Sequence, residues 1–333
     1  MLMRWSRAFP TWPLAALLVL VVPVAACNTG THHGLGSNAK RTSTKAQPIA
    51  LGIAVADPGN TRLLDSDLAL LKHPPAVIAW TQSWSDPLFY DDQRAAVLGV
   101  GAVPLIYWTS IGDSRRRSLT DIASGKDDAY LRQSAELVKT WPGEVMIAVD
   151  PEMNVRHSVY GTSSASNTAA EFIAAWRHVV SVFRSQGVKN VLWVWAPNVN
   201  CQGGCNFQGY YPGNSWVDWV GLVGFNYAAD HELPWMTFSE LFRSSYDELS
   251  SLSNKPMLIA ATSSTAAGGN KAIWITEAFK TIDTMTRVHA VVWFDRKKEL
   301  NWRFNSSSSA LHAFQQVDSS AEYRGTLSTV RAP

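Results

Sequence analysis

The chain has 333 residues, with 29 Lys and Arg against 27 Asp and Glu, so its formal net charge is only +2. No basic run longer than three residues stands beyond the leader, which argues against a nucleic-acid partner. Fifteen tryptophans are many for this length; most are expected in the core, because Trp is highly buried on average.

The first residues hold Arg4 and Arg7, an apolar run from Leu14 to Val22, and then Val24-Ala25-Ala26-Cys27. A basic head, a short apolar core and small residues before the cut read as a secretory signal over residues 1–26. The core is too short for a membrane span, which takes about 20 residues. Cys27 directly after Val-Ala-Ala resembles a bacterial lipobox. The expectation is a lipidated Cys27 holding the protein on the outer face of the cytoplasmic membrane, with simple secretion as the alternative. Residues 27–47 are polar and read as a flexible tether, in which His32 and His33 are expected to be solvated.

About 285 residues remain, which suits one domain over 48–333. Eight short apolar runs recur in it: Ile49–Val55, Ala76–Thr81, Val103–Trp108, Val145–Asp150, Val191–Trp195, Val217–Phe225, Met257–Ala261 and Ala290–Phe294. Helical periodicity is clearest at Asp128–Thr140, Thr168–Ser185, Phe238–Leu252 and Lys271–Met285. Trp176 and Trp274 lie inside these helical patterns and are expected in the core, while Ser306–Ser309 reads as a plain loop. Buried strands alternating with helices predict a (β/α)8 TIM barrel, with its site at the C-terminal strand ends. A doubly wound sheet is the rival, but no Gly-rich dinucleotide fingerprint follows the first run.

The residues at those strand ends are rich in indoles and poor in cations. Trp84, Trp108 and Trp293 could face a sugar ring or pack inside. Cys201 and Cys205 flank a Gly-rich loop and are expected to form a small disulfide in an oxidising compartment. A zinc reading would need two further ligands, and none is close in sequence.

Several segments resemble glycoside hydrolase family 26, whose members include β-mannanases. They are Glu152-Met153-Asn154, Ala175 to Val179, Asn190 to Asn198, Tyr210-Tyr211-Pro212-Gly213, Val217 to Gly221, Lys255-Pro256 and Val291 to Asp295. The resemblance implies a barrel whose enzymes retain configuration, with an acid/base Glu after strand four and a nucleophilic Glu at the end of strand seven. It implies no cofactor and no metal. Retention needs the two carboxyl groups about 5–5.5 Å apart. Glu152 matches the acid/base, whereas the nucleophile position falls on Ala261. Three more departures lie near it: Pro151 replaces the family's usual His, Phe225 replaces a Tyr with Val223 where Asp is common, and Val155-Arg156-His157 replaces a Gly-Trp segment.

An Ala methyl can neither attack a carbon nor stabilise an oxocarbenium charge. Asp150, two residues before Glu152, should share its face if the strand continues; it could raise the pKa of Glu152 or simply be a buried acid paired with a barrel neighbour. Asp295 and Asp230 are the other carboxylates that could serve an inverting route. Asn198, Phe225 and Tyr227 join the three indoles as candidate sugar contacts. The favoured reading is a monomeric, lipid-anchored receptor for a mannan-type polysaccharide that has dropped retaining catalysis. An active, rewired glycosidase using Glu152 as general acid is the alternative, and a protein scaffold without sugar affinity is a third.

Overall fold

The computed structural model describes residues 47–112, 115–155, 168–199, 207–231 and 233–327. The leader with Cys27, the tether to residue 46, Arg156 and His157, and the Cys201/Cys205 loop lie outside them. Each apolar run becomes one strand: β1 (Ala50–Ala54), β2 (Val77–Ser83), β3 (Val103–Thr109), β4 (Val145–Val149), β5 (Val191–Trp195), β6 (Trp219–Asn226), β7 (Met257–Ser264) and β8 (Val288–Phe294). They pair in sequence order, all in parallel, and β1 closes on β8 with Ala50 opposite Ala290 and Ala54 opposite Phe294. A short antiparallel pair, Ile111–Gly112 with Arg115–Arg116, follows β3.

Nine helices are described: α1 (Thr61–Leu68), α2 (Asp91–Val100), α3 (Leu119–Ala123), α4 (Asp128–Lys139), α5 (Ala169–Ser185), α6 (Phe207–Tyr210), α7 (Phe238–Leu252), α8 (Lys271–Ile282) and α9 (Ser308–Ser319). Two start on reciprocal caps. Thr168 Oγ1 accepts from Glu171 N while the Glu171 carboxylate accepts from Thr168 N, and Thr237 with Glu240 repeats the arrangement. The expected loop at Ser306–Ser309 is corrected: Ser307 Oγ accepts from Ala310 N at 3.1 Å, so the run caps and opens α9. Serine serves both roles because its hydroxyl replaces a missing backbone partner.

Strand alternation sorts side chains into two cores. Inside the narrow barrel, small residues such as Ala54, Ala79, Ala148, Ala196, Ala260 and Ala290 fill the space with Leu105, Met146 and Leu258. Gly221 belongs to this packing, since a Cβ there would lie 2.9 Å from that of Ala196 and 3.1 Å from that of Ala260. The large side chains fill the layer between strands and helices, including Trp80, Trp108, Trp176, Trp193, Trp195, Trp274 and Trp293.

Candidate functional site

At the C-terminal strand ends a cavity of about 190 Å³ opens, lined by Thr81, Tyr107, Thr109, Pro151, Glu152, Val223, Phe225, Tyr227, Ala261, Phe294, Arg296, Lys298 and Glu299. It falls below the roughly 300–1,000 Å³ of drug-sized ligand sites, which leaves room for about one sugar unit. A cavity of about 250 Å³ at the other end, beside Leu51, Ala76 and the Asp318–His73 contact, lies by the strand starts. That face of a TIM barrel serves stability.

Glu152 sits in a turn just past β4 with φ 61°, and Asp150 precedes it at φ 42°. Left-handed backbone at non-glycine residues is uncommon and concentrates at functional sites. The turn carries the chain across the mouth: Asp150 N donates to Trp108 O on β3, and Glu152 N donates to Ala196 O beyond β5. Asn198 Nδ2 then donates to Glu152 Oε1 at 2.6 Å. Asn198 is held in turn by a two-way bond with Asn154, Nδ2 to O and Oδ1 from N, each at 2.8 Å. Burial pushes the Glu152 carboxyl upward; the Asn198 bond and Lys298 hold it down, and Glu299 pushes it further up. Asn198, expected among the sugar contacts, instead orients the acid.

The expectation that Asp150 shares a wall with Glu152 is corrected, because the strand stops at Val149 and period two stops with it. Asp150 turns toward β3, where its two oxygens accept from Ser110 N and Ser110 Oγ, both at 2.7 Å. Asp230 lies exposed in the 3-10 turn Ala228–His231 and does not line the cavity.

Asp295 is buried behind the mouth, in a crevice with Asp67 and Arg303. Its Oδ1 accepts from Phe304 N at 2.8 Å, and Arg303 Nε stands 3.6 Å from Oδ2, an ion-pair distance too long for a hydrogen bond. Burial, then the charge of Asp67, raise the Asp295 pKa to about 7. Lys271, lowered to about 7 by burial, donates to Asn301 O and Arg303 O. Both groups therefore brace the loop after β8. A native pKa above the unfolded value of about 3.9 means that the folded state binds this proton more tightly. Stability should fall as pH rises from about 4 to about 7. Asp295→Asn is expected to flatten that falling limb in urea titrations at stepped pH, with Asp67 and Glu152, also raised by burial, keeping a remainder; an unchanged slope in the variant would contradict the assignment.

The three indoles are also corrected. Trp84, Trp108 and Trp293 are buried against the helices, with Trp84 and Trp108 packed at a tilt 4.8 Å apart and Trp293 beside Trp274 at 6.1 Å. For β3 and β8 the reason is alternation: Tyr107 and Phe294 face the mouth, so Trp108 and Trp293 face away. Phe225 and Tyr227 do line the cavity, their rings 6.1 Å apart.

Ala261 lines the cavity from β7. The register of β7 slips against both neighbours here, with Ile259 opposite Leu222 but Ala261 opposite Val223, and a matching shift against β8 between Val291 and Trp293. Such a bulge re-aims side chains, and both Ala260 and Ala261 face the barrel interior. Tyr107 Oη donates to Ala260 O at this point.

Sequence reasoning passed over Thr81, Thr109, Phe294 and, above all, the charged loop after β8. Arg296, Lys298 and Glu299 all reach the cavity. Glu299 Oε1 accepts from Trp302 Nε1 at 3.0 Å. Trp302 is fully buried, packs 5.2 Å from Phe225 and 5.0 Å from Tyr227, and its carbonyl accepts from Ser263 Oγ and Trp293 Nε1. The one available signal was the charge cluster in Arg296-Lys297-Lys298-Glu299 directly beyond a strand end.

Residues 145–243 match glycosyl hydrolase family 26. The chain is 37% identical over 248 residues to Endoglucanase H of Acetivibrio thermocellus; the match takes in 72% of this chain and 26% of that protein. This chain thus spans about a quarter of the length of that relative. Among solved structures, the catalytic domain of the family 26 endo-β-1,4-mannanase of Bacillus sp. JAMB-750 superposes with a TM-score of 0.63 at 17% identity, over 86% of this chain and 89% of that one. The family 26 β-mannanase of Bacteroides ovatus gives 0.60 at 14% identity, over 83% and 90%. These two likenesses concern the fold alone. The matched segment, the relative's identity and the closed barrel together make the chain similar to glycosyl hydrolase family 26, with residues 145–243 carrying the family match itself.

Proposed function

We propose that the barrel mouth engages a glycan and that the family's double displacement has been lost. The observation that carries this reading is the pairing across one cavity of Glu152, oriented by Asn198, with a methyl group at Ala261. Phe225, Tyr227 and Phe294 offer apolar faces for a sugar ring, and Thr81 and Thr109 offer hydroxyls. The relatives named for mannan and glucan hydrolysis favour a polysaccharide of that general class. Lipidation at Cys27 would hold the site at the cell envelope, where such polymers lie.

A second reading is favoured by the way Trp302 holds Glu299. In a single displacement, Glu299 would take a proton from water as that water attacks the anomeric carbon. Glu152 would give its proton to the leaving oxygen, and the glycosidic bond would break with inversion. Reducing-sugar release from β-mannan, mixed-linkage glucan, xylan and envelope mannans, read beside oligosaccharide calorimetry, separates the two. The receptor reading expects affinity without turnover. Turnover that drops by about 10²–10⁴-fold in both Glu152→Gln and Glu299→Gln would instead establish the single displacement. Neither affinity nor turnover would sink both readings.

A further inference from the structure

The cavity contains a cation that no described carboxylate contacts at hydrogen-bond or ion-pair distance. Arg296 follows β8, is half-buried, and lies over the Phe294 ring with its guanidinium carbon 5.5 Å from the centroid. Stacking on a ring face leaves the in-plane N–H groups of a guanidinium free to donate. Among the described residues, Arg296 has neither a hydrogen-bond acceptor nor an ion-pair partner. A partly desolvated cation without an acceptor is unfavourable, and burial accordingly lowers its pKa, an effect that the charge of Glu299 opposes without making contact.

The acids that could answer it are engaged elsewhere. Glu299 is drawn to Trp302 Nε1 at 3.0 Å and stands 3.9 Å from Lys298 Nζ. Glu152 is bonded to Asn198. On β7 and β6, the wall at Ala261 and Val223 carries no charge, although the family resemblance would place a carboxylate at Ala261. With Ala261 in place of that carboxylate, the cavity's two acids, Glu152 and Glu299, are matched by two cations, the guanidinium of Arg296 and Lys298 exposed at the rim.

We infer that this cavity selects a glycan bearing an anionic substituent, a carboxylate or a phosphate, whose charge is received by Arg296 with help from Lys298. The planar fork of Arg296 matches either group in a bidentate fashion. Phe225, Tyr227 and Phe294 supply the apolar surface for the ring that carries it. The inference rests on the glycan-binding reading of the same pocket and adds the ligand's charge.

Titration calorimetry on the mature protein tests it with three probes: a mannuronate trisaccharide, a disaccharide carrying 6-phosphomannose, and neutral mannotriose. At low ionic strength at least one anionic probe should bind about tenfold or more tighter than mannotriose, and the advantage should narrow as salt is added. The better of the two anionic probes tells carboxylate from phosphate. Arg296→Gln should remove the advantage while leaving the weaker neutral binding in place, which also reports that the variant folds. Arg296→Lys should recover part of it. Mannotriose binding as tightly as both anionic probes, or Arg296→Gln weakening neutral and anionic probes alike, would overturn the inference and leave glycan binding standing. Silence from all three probes would overturn the glycan reading as well.

Discussion

Ala261→Glu is expected to give the chain retaining activity on β-mannan, raising turnover by about 10³-fold or more over the unmodified protein. The substitution puts a carboxyl on the cavity wall where the β7 bulge already turns side chains into the barrel mouth. Glu152, on the turn after β4, lines the same cavity and would serve as the acid/base. Glu152→Gln in that background should cancel the gain, and proton NMR of the first product should show the β-anomer. A folded Ala261→Glu protein that still binds mannooligosaccharide but turns none over would implicate the other departures. Phe225 offers no hydroxyl to steady the new carboxylate, and Val223, directly opposite Ala261 in register, offers no charge or hydrogen bond.

The second large effect concerns stability. Trp108→Ala should cost about 3–5 kcal/mol in urea unfolding, because it empties a fully buried indole site between β3 and the helices. Trp84, Tyr130 and Phe183 all pack on that ring, at 4.8, 5.8 and 5.8 Å, and its Nε1 donates to Tyr130 Oη at 3.2 Å. Tyr130 Oη donates in turn to Asp86 O, so the deletion also loosens the loop after β2. Sugar affinity measured below the transition should change far less than it does for Tyr227→Ala or Phe225→Ala. Selective loss of sugar binding in a fully stable Trp108→Ala protein would return this indole to the site.

The barrel was legible because a buried parallel strand is short, almost wholly apolar and flanked by turn residues; Val145–Val149 and Val191–Trp195 were read almost to the residue. The shorter helices α1, α2 and α3 were not, since fewer than about eleven residues give periodicity little to repeat over. Within the site, Glu152, Phe225, Tyr227 and Ala261 could be named in advance. Each sits at or just beyond a strand end, and their neighbours carried the family resemblance.

Direction is what the chain's order left open. In a strand, one residue's difference flips a side chain between the mouth and the helix layer, so Tyr107 and Phe294 line the cavity while Trp108 and Trp293 lie behind it. The same applies to the acids. Two left-handed residues send Asp150 to Ser110 and Glu152 to Asn198, although only Pro151 separates them. Asp295, one residue before Arg296, is drawn back to Phe304 N and Arg303. By itself the sequence determined the eight strands, their order and one carboxylate at the mouth, because those follow from local apolar runs and a local motif. Only the tertiary structure decided which charges share the cavity, because Arg296, Lys298 and Glu299 ride a loop whose path is set by the burial of its own Asp295 and Trp302 and by Lys271 from α8.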